Sequence, residues 1–299
     1  SILTETFVLI IVKSIFPSSN ITTLCSGVNN YFVNVRCPEC GKHYKSKTER
    51  DIELFFRDEG IKTITNTRLL YTEDSKFPKE IDFILPDYNI GIEVDGLHWH
   101  MDKLPNYHIN KTKIAKDKGI QLIHITDSEW WYKRNIIKSI ILAKCKIFKE
   151  RIFARKCEIK EIPNNVYRDF CNENHISGYA SATTLLGMFY NNELKAICSF
   201  RVSRFGSKKE TELIRFCPTL NTQIVGGLSK FIKYYIRNNP DANLISFCDL
   251  RFSTGDGYES CGFIPEYTTK PNYWYFSDKE YYLHNRIESI DKNARKLKE

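Results

Sequence analysis

Hydrophobic and polar positions along this chain change period several times. After Ser46 the apolar residues Ile52, Leu54, Phe55 and Phe56 supply one side of a helical repeat, Ser46 is placed to cap its start, and Gly60 stops it. Two or three strands are expected next. Residues 81–85 and 90–94 are short β-rich runs, and Pro86-Asp87-Tyr88-Asn89 between them has the chemistry of a tight hairpin turn. A helix over 110–118 ended by Gly119, a strand over 121–126 and one long helix over 131–153 follow, the last with Ile137, Ile141, Lys144 and Phe148 at helical spacing. The second half reads as strands over 184–190, 194–202, 211–216 and 244–248, with one clear helix over 228–238 that Asn239-Pro240 terminates.

This order predicts three parts: a Cys-containing module over 1–45, an α/β domain over 46–153 and an α+β domain over 154–299. At 299 residues, 42% hydrophobic and 27% charged, the chain falls outside the disordered class. No apolar run approaches the roughly 20 residues of a membrane-spanning helix. Ten Cys, mostly single and in apolar surroundings, read as reduced thiols and predict a cytoplasmic setting without a secretory signal or anchor. The net charge of +8 is unevenly placed. Residues 103–156 hold fourteen Lys or Arg against four Asp or Glu, a local +10, so the other 245 residues carry −2. A stretch of this kind is either a solvated helix surface or a phosphate-binding face, and the second predicts binding that weakens with salt.

The chemistry-bearing residues cluster beside that stretch. Asp82 lies on one predicted strand and Glu93 and Asp95 on the next, both on the same face because side chains alternate. Grouped carboxylates repel, and a hard cation such as Mg²⁺ or Mn²⁺ between them relieves the repulsion and activates water for attack on a phosphodiester. The alternative is an edge strand that simply ends in acids. The continuation Gly96-Leu97-His98-Trp99-His100 favours a site, since two His at alternate positions bring an imidazole to it for proton transfer.

Ser46-Lys47-Thr48-Glu49, Glu80-Ile81-Asp82-Phe83-Ile84-Leu85-Pro86, Ile92-Glu93-Val94-Asp95-Gly96 with Trp99-His100, Tyr107-His108-Ile109-Asn110-Lys111-Thr112 and Gln121-Leu122-Ile123-His124-Ile125-Thr126-Asp127-Ser128-Glu129-Trp130 occur in order. Together they resemble phage-encoded homing endonucleases of the EDxHD type, relatives of the very short-patch repair endonucleases in the PD-(D/E)xK superfamily. The resemblance implies a restriction-endonuclease-like nuclease domain. Asp82 matches its metal-binding acid, Glu93 a second ligand, His100 the histidine after the Trp, and Glu49 the acid of the preceding helix. Glu49 is also placed for a capping box with Ser46. Asp95 stands where the superfamily has Lys, which makes His100 the first candidate to assist the water. Asp127 and Glu129 either complete the site or fix Trp130. Thr112 and Lys113 face either the metal or DNA, and Lys111, Lys113, Lys116 and Lys118 are expected on the phosphate backbone.

Cys37-Pro38-Glu39-Cys40 supplies half of a zinc site, with Cys25 and His43 as further candidate ligands; Zn²⁺ binding and a metal-free remnant both stay open. In the last part, Asn174-His175-Ile176-Ser177-Gly178, Glu212-Leu213-Ile214-Arg215-Phe216-Cys217 and Asp249-Leu250-Arg251-Phe252-Ser253 resemble the C-terminal domain of the same endonucleases. Val225-Gly226-Gly227-Leu228-Ser229-Lys230 resembles the phosphate-holding turn of GNAT-like acyltransferases. Arg215, Lys230 and Arg251 are therefore expected on DNA. The implied function is site-specific, Mg²⁺-dependent cleavage of double-stranded DNA. A mismatch-directed repair endonuclease, a GNAT-like nucleobase-modifying transferase and a plain DNA-binding module are the alternatives.

Overall fold

The computed structural model describes residues 8–10, 45–70, 79–96, 107–203, 210–269, 272–277 and 282–284. These residues form a mixed α/β protein with several sheets. By packing they divide into two units, and the division falls between Trp130 and Trp131.

In the first unit, α1 (Lys47–Asp58) starts at a capping box. The Glu49 N–H donates to the Ser46 hydroxyl at 3.0 Å, and the Ser46 N–H donates to the Glu49 carboxylate at 3.2 Å. Two helix-end donors are thereby satisfied. Ile52, Phe55 and Phe56 form the buried side of α1, and Phe56 meets Phe83 edge-on at 5.6 Å. Strands β2 (Ile64–Leu70), β3 (Lys79–Leu85) and β4 (Ile90–Asp95) are antiparallel neighbours. The turn from β3 to β4 is the expected one, a 3-10 turn over Pro86–Tyr88 closed by Asn89 at φ +54°, a left-handed conformation that Asn tolerates. Helix α2 (Tyr107–Asp117) then carries the chain to β5 (Gln121–Thr126), which pairs parallel to β4 and completes the order β2-β3-β4-β5. Parallel pairing requires such a crossover. Ala115 of α2 packs on Ile81, Ile84 and Leu122.

Thr126 and Glu129 repeat the capping box at α3 (Asp127–Tyr132), with both bonds at 3.1 Å. Inside α3, Trp130 is fully buried, lies 6.0 Å from Phe55 and donates Nε1–H to Asp51 at 2.7 Å. This tie joins the end of the sheet to α1.

The long helix expected over 131–153 does not form. The chain leaves helical geometry at Lys133 (φ −128°) and resumes as α4 (Arg134–Lys144). It then turns at Lys146, whose φ is +58°, and enters β6 (Glu150–Phe153). Strand β6 pairs parallel with β11 (Thr222–Val225), so a long-range partner overrides the local periodicity. The second unit is built on a five-stranded sheet ordered β12-β10-β9-β8-β7, from β7 (Glu158–Glu161), β8 (Thr184–Tyr190), β9 (Glu193–Val202), β10 (Glu210–Pro218) and β12 (Asn243–Ser246). Only the β10/β12 pair is parallel, and β10 carries a bulge between Leu213 and Arg215. Helix α5 (Asn164–Asn174) packs Tyr167 and Cys171 with Ile197 and Cys217. Helix α6 (Gly227–Asn238) packs Phe231, Ile232 and Tyr235 into the larger core, where Tyr235 stacks on Phe200 at 3.9 Å. A short α7 (Asp256–Glu259) follows β12. Strands β1 (Val8–Ile10), β13 (Asn272–Ser277) and β14 (Tyr282–His284) form a small separate sheet.

The described cysteines are free thiols, all buried except the half-buried Cys261. Among the described residues no helix is long and apolar enough to cross a membrane. Because Trp130 combines full burial with the bond to Asp51, Trp130→Ala should lower unfolding stability by about 3–5 kcal/mol in urea denaturation.

Candidate functional site

The hairpin register places the acids. Phe83 pairs with Ile92, so Asp82 stands one step further along β3, level with Glu93. Asp82 accepts from the Val94 N–H at 2.8 Å and is thereby held against β4. Glu93 and Asp95 share a face of β4, opposite His124 and Thr126 of β5. Glu93 and Asp95 are both buried.

Helix α2 supplies the charge that makes this burial tolerable. Lys111 is 2% exposed, and its ammonium donates to Glu93 Oε1. Its neighbour Thr112 places Oγ1 at 2.9 Å from His124 Nε2, and His124 Nδ1 lies 2.9 Å from Asp95 Oδ2. The His124 ring thus bridges the Thr112 hydroxyl and the Asp95 carboxyl. Two parallel links, Lys111 to Glu93 and Thr112 through His124 to Asp95, therefore fasten α2 to the acidic end of the sheet.

The cluster is electrostatically loaded. Burial first, then the charge of Asp82, raises the Glu93 carboxyl to about 8 against the pull of Lys111. Burial also raises Asp82, to about 7; the Val94 N–H opposes this and the charge of Glu49 adds to it. Glu49 thus serves as a helix cap, and its charge still bears on Asp82. Glu93 Oε2 is buried with no hydrogen-bond partner among the described residues.

Among the described residues no group of three or more His, Cys, Asp or Glu is arranged to hold a metal ion. The donor set that does converge is the pair Asp82 and Glu93. It suits Mg²⁺, which binds through one or two carboxylates and completes its shell with water and substrate oxygens. The unbonded Glu93 Oε2 is the atom such a cation would engage.

The other expected residues fall in different places. His100, Cys25, Cys37, Cys40 and His43 lie outside the described residues. Asp127 is buried at the start of α3, where it accepts from the Ser128 N–H at 2.8 Å, and Glu129 serves in the cap of the same helix. Lys113, Lys116 and Lys118 are exposed on and just after α2. Lys111, expected on DNA, is instead turned inward. Lys230 donates to the carbonyls of Ala154, at 2.9 Å, and Cys157. Arg251 is buried, paired with Asp249 at 3.1 Å and set over the Phe252 ring at 4.8 Å. Arg215 donates to the carbonyls of Gly178 and Ile214. The roles of Lys111 and His124 were hidden in the sequence because their partners stand 18 and 29 positions away. The available signal was that Lys111 and Thr112 are adjacent in the middle of a crossover helix between two sheet neighbours.

The raised carboxyls make a pH prediction. The unfolded chain releases these protons near pH ~4, whereas the folded chain keeps them up to about 7 and about 8. The folded state binds more protons across that window, so stability falls as pH rises through it. Metal-free protein should lose unfolding free energy between about pH 5 and about pH 8, and Asp82→Asn should be the more stable form at the upper end and flatten the profile. Denaturation curves for both proteins across that range check this.

Comparison of the chain with protein-family models, with curated proteins and with solved structures gives no match in any of the three.

Proposed function

We propose that the chain is a divalent-metal-dependent DNA endonuclease of the homing type, with a restriction-endonuclease-like first unit and a GNAT-like second unit that extends the DNA footprint. The observation that carries this reading is the convergence of Asp82, Glu93 and Lys111, with Glu93 Oε2 buried and unbonded. Structural acids at a strand end would be exposed or fully hydrogen-bonded, since an unsatisfied buried carboxylate oxygen is costly.

In this reading Asp82 and Glu93 hold Mg²⁺ or Mn²⁺, which, when bound, polarises the scissile phosphate and lowers the pKa of an attacking water. The chain's own groups do the rest. Lys111 favours the ionised form of Glu93 in spite of its burial and sets a positive charge beside the point where negative charge develops on the phosphate. The Thr112–His124–Asp95 chain fixes the Asp95 carboxyl and keeps α2 in register with the sheet. His100, which follows β4 closely in sequence, is the group assigned to take the proton of the attacking water. Lys113, Lys116 and Lys118 face solvent and hold the phosphate backbone. The mismatch-repair alternative shares this chemistry and differs only in substrate.

Two sets of variants separate catalysis from binding. Asp82→Ala should lower Mg²⁺-dependent cleavage of duplex DNA by more than about 10²-fold, the scale of losing one electrostatic contact to a transition state, with affinity for DNA little changed. Replacing Lys113, Lys116 and Lys118 together by Gln should leave the rate at saturating DNA nearly unchanged. It should reduce the slope of log affinity against log salt by about 2–3, because each phosphate contact contributes about 0.9. Cleavage assays and binding titrations over a salt series read both. Cleavage that survives Asp82→Ala would remove the nuclease assignment.

A further inference from the structure

The small parallel sheet of the second unit carries charge and an aromatic ring on one exposed face. In β6 the side chains alternate, with Ile152 buried and Arg151 and Phe153 exposed. The register sets Gln223 beside Arg151 and Val225 beside Phe153, both half-buried, so these four side chains share one face. A 3-10 turn over Ala154–Lys156 continues β6; it buries Ala154 and leaves Arg155 and Lys156 outside. Lys230 donates to the carbonyls of Ala154 and Cys157, which fixes the shape of that turn and with it the place of Arg155.

Positive charge gathers on Phe153. The Arg155 guanidinium lies over its ring at 5.1 Å from the centroid and the Arg151 guanidinium at 5.8 Å. A guanidinium held by its flat side on a ring keeps its in-plane N–H donors available. Among the described residues neither arginine donates to a carbonyl or a carboxylate, and Lys156 forms no ion pair. The neighbouring acids are engaged by other cations: Glu150 meets Lys195 at 3.0 Å and Glu158 meets Lys160 at 2.7 Å. The face therefore joins two donor forks with a ring that is 39% exposed.

Charge calls for an anionic partner, and the ring narrows the choice. An acidic protein surface uses the forks alone. Duplex DNA keeps its bases stacked inside, whereas a strand with unpaired bases offers both phosphates and a base face to stack on an aromatic ring. We propose that Arg151, Phe153 and Arg155, with Lys156 adding charge, form a binding face for single-stranded DNA, on which a base stacks on Phe153 and the flanking phosphates meet the two guanidiniums. The inference rests on the reading of the second unit as an extension of the DNA footprint, to which it adds the residues and the unpaired state of the strand, and it is independent of the metal chemistry of the first unit.

The test uses the full-length protein in metal-free buffer, with a short oligothymidine and a short mixed-sequence duplex as probes. Fluorescence anisotropy over a salt series reads affinity, and ultraviolet crosslinking of a 5-iodouracil-substituted oligonucleotide to the unaltered chain reads which aromatic residue the base stacks on. Phe153→Leu should weaken oligothymidine binding about tenfold, the scale of one base stacked on an aromatic ring, and change duplex binding by less than about twofold. Arg151→Gln combined with Arg155→Gln should reduce the slope of log affinity against log salt by about 1.4 for the single strand, about 0.7 for each phosphate contact. The crosslink should map to Phe153. Oligothymidine binding that these variants leave unchanged, or a crosslink confined to other residues, overturns the proposal. Equal loss of single-strand and duplex binding in Phe153→Leu also overturns it, and so does an absence of oligothymidine binding, which leaves the face to an acidic protein. Crosslinking on the unaltered chain keeps the test decisive if a variant does not fold. The two readings fail separately: duplex cleavage without a crosslink at Phe153 removes this face alone, and a crosslink at Phe153 in a chain that cuts no DNA removes the nuclease alone.

Discussion

The first unit depends on one buried contact, the Lys111 ammonium on the Glu93 carboxyl. Three acids, Asp82, Glu93 and Asp95, stand at one end of the sheet, and the ammonium of Lys111 is the positive charge that acts on both Asp82 and Glu93. Breaking a buried pair leaves an uncompensated charge, which costs more than the pair contributes while intact. The same contact fixes α2 across the sheet beside β5 and so aligns Thr112 with His124. The acids, the crossover helix and the parallel strand are thus a single arrangement, and its electrostatic strain is the reason to read it as a site rather than as a strand end.

What the sequence disclosed follows the range of the interactions. The hairpin was legible because its turn chemistry is local: Pro86 begins the turn and Asn89 takes the left-handed φ that ends it. The helix expected over 110–118 was found with its start three residues earlier, at Tyr107. The acidic cluster was legible because β4 alternates and the hairpin sets its neighbour. The long helix expected over 131–153 failed where a distant strand decided the outcome. Ile147, Phe148 and Ile152 satisfy a helical repeat, yet β11, some seventy residues later, pairs with 150–153 instead.

Charge was the least reliable guide at the level of single residues. The basic stretch over 103–156 contains the exposed Lys113, Lys116 and Lys118, but it also contains Lys111, which is buried on Glu93, and Lys133, which is bonded to the Ile176 carbonyl. In the second unit Lys230 and Arg251 occupy their charge inside the fold. A count of Lys and Arg cannot tell a cation that faces solvent from one that closes a core, because the difference lies in which carbonyl or carboxylate the fold brings to it.

The proposed nuclease needs Asp82 and Glu93 held together as half of a divalent-cation site. The most direct measurement is a Mn²⁺ titration of the full-length protein at neutral pH, read by the loss of the free-ion paramagnetic resonance signal, beside the same titration of Asp82→Asn and Glu93→Gln. One bound Mn²⁺ per chain that both substitutions remove, and that Mg²⁺ displaces, is the predicted result. Mn²⁺ binding that persists unchanged in both variants, or its absence from the unaltered chain with and without DNA, would contradict it.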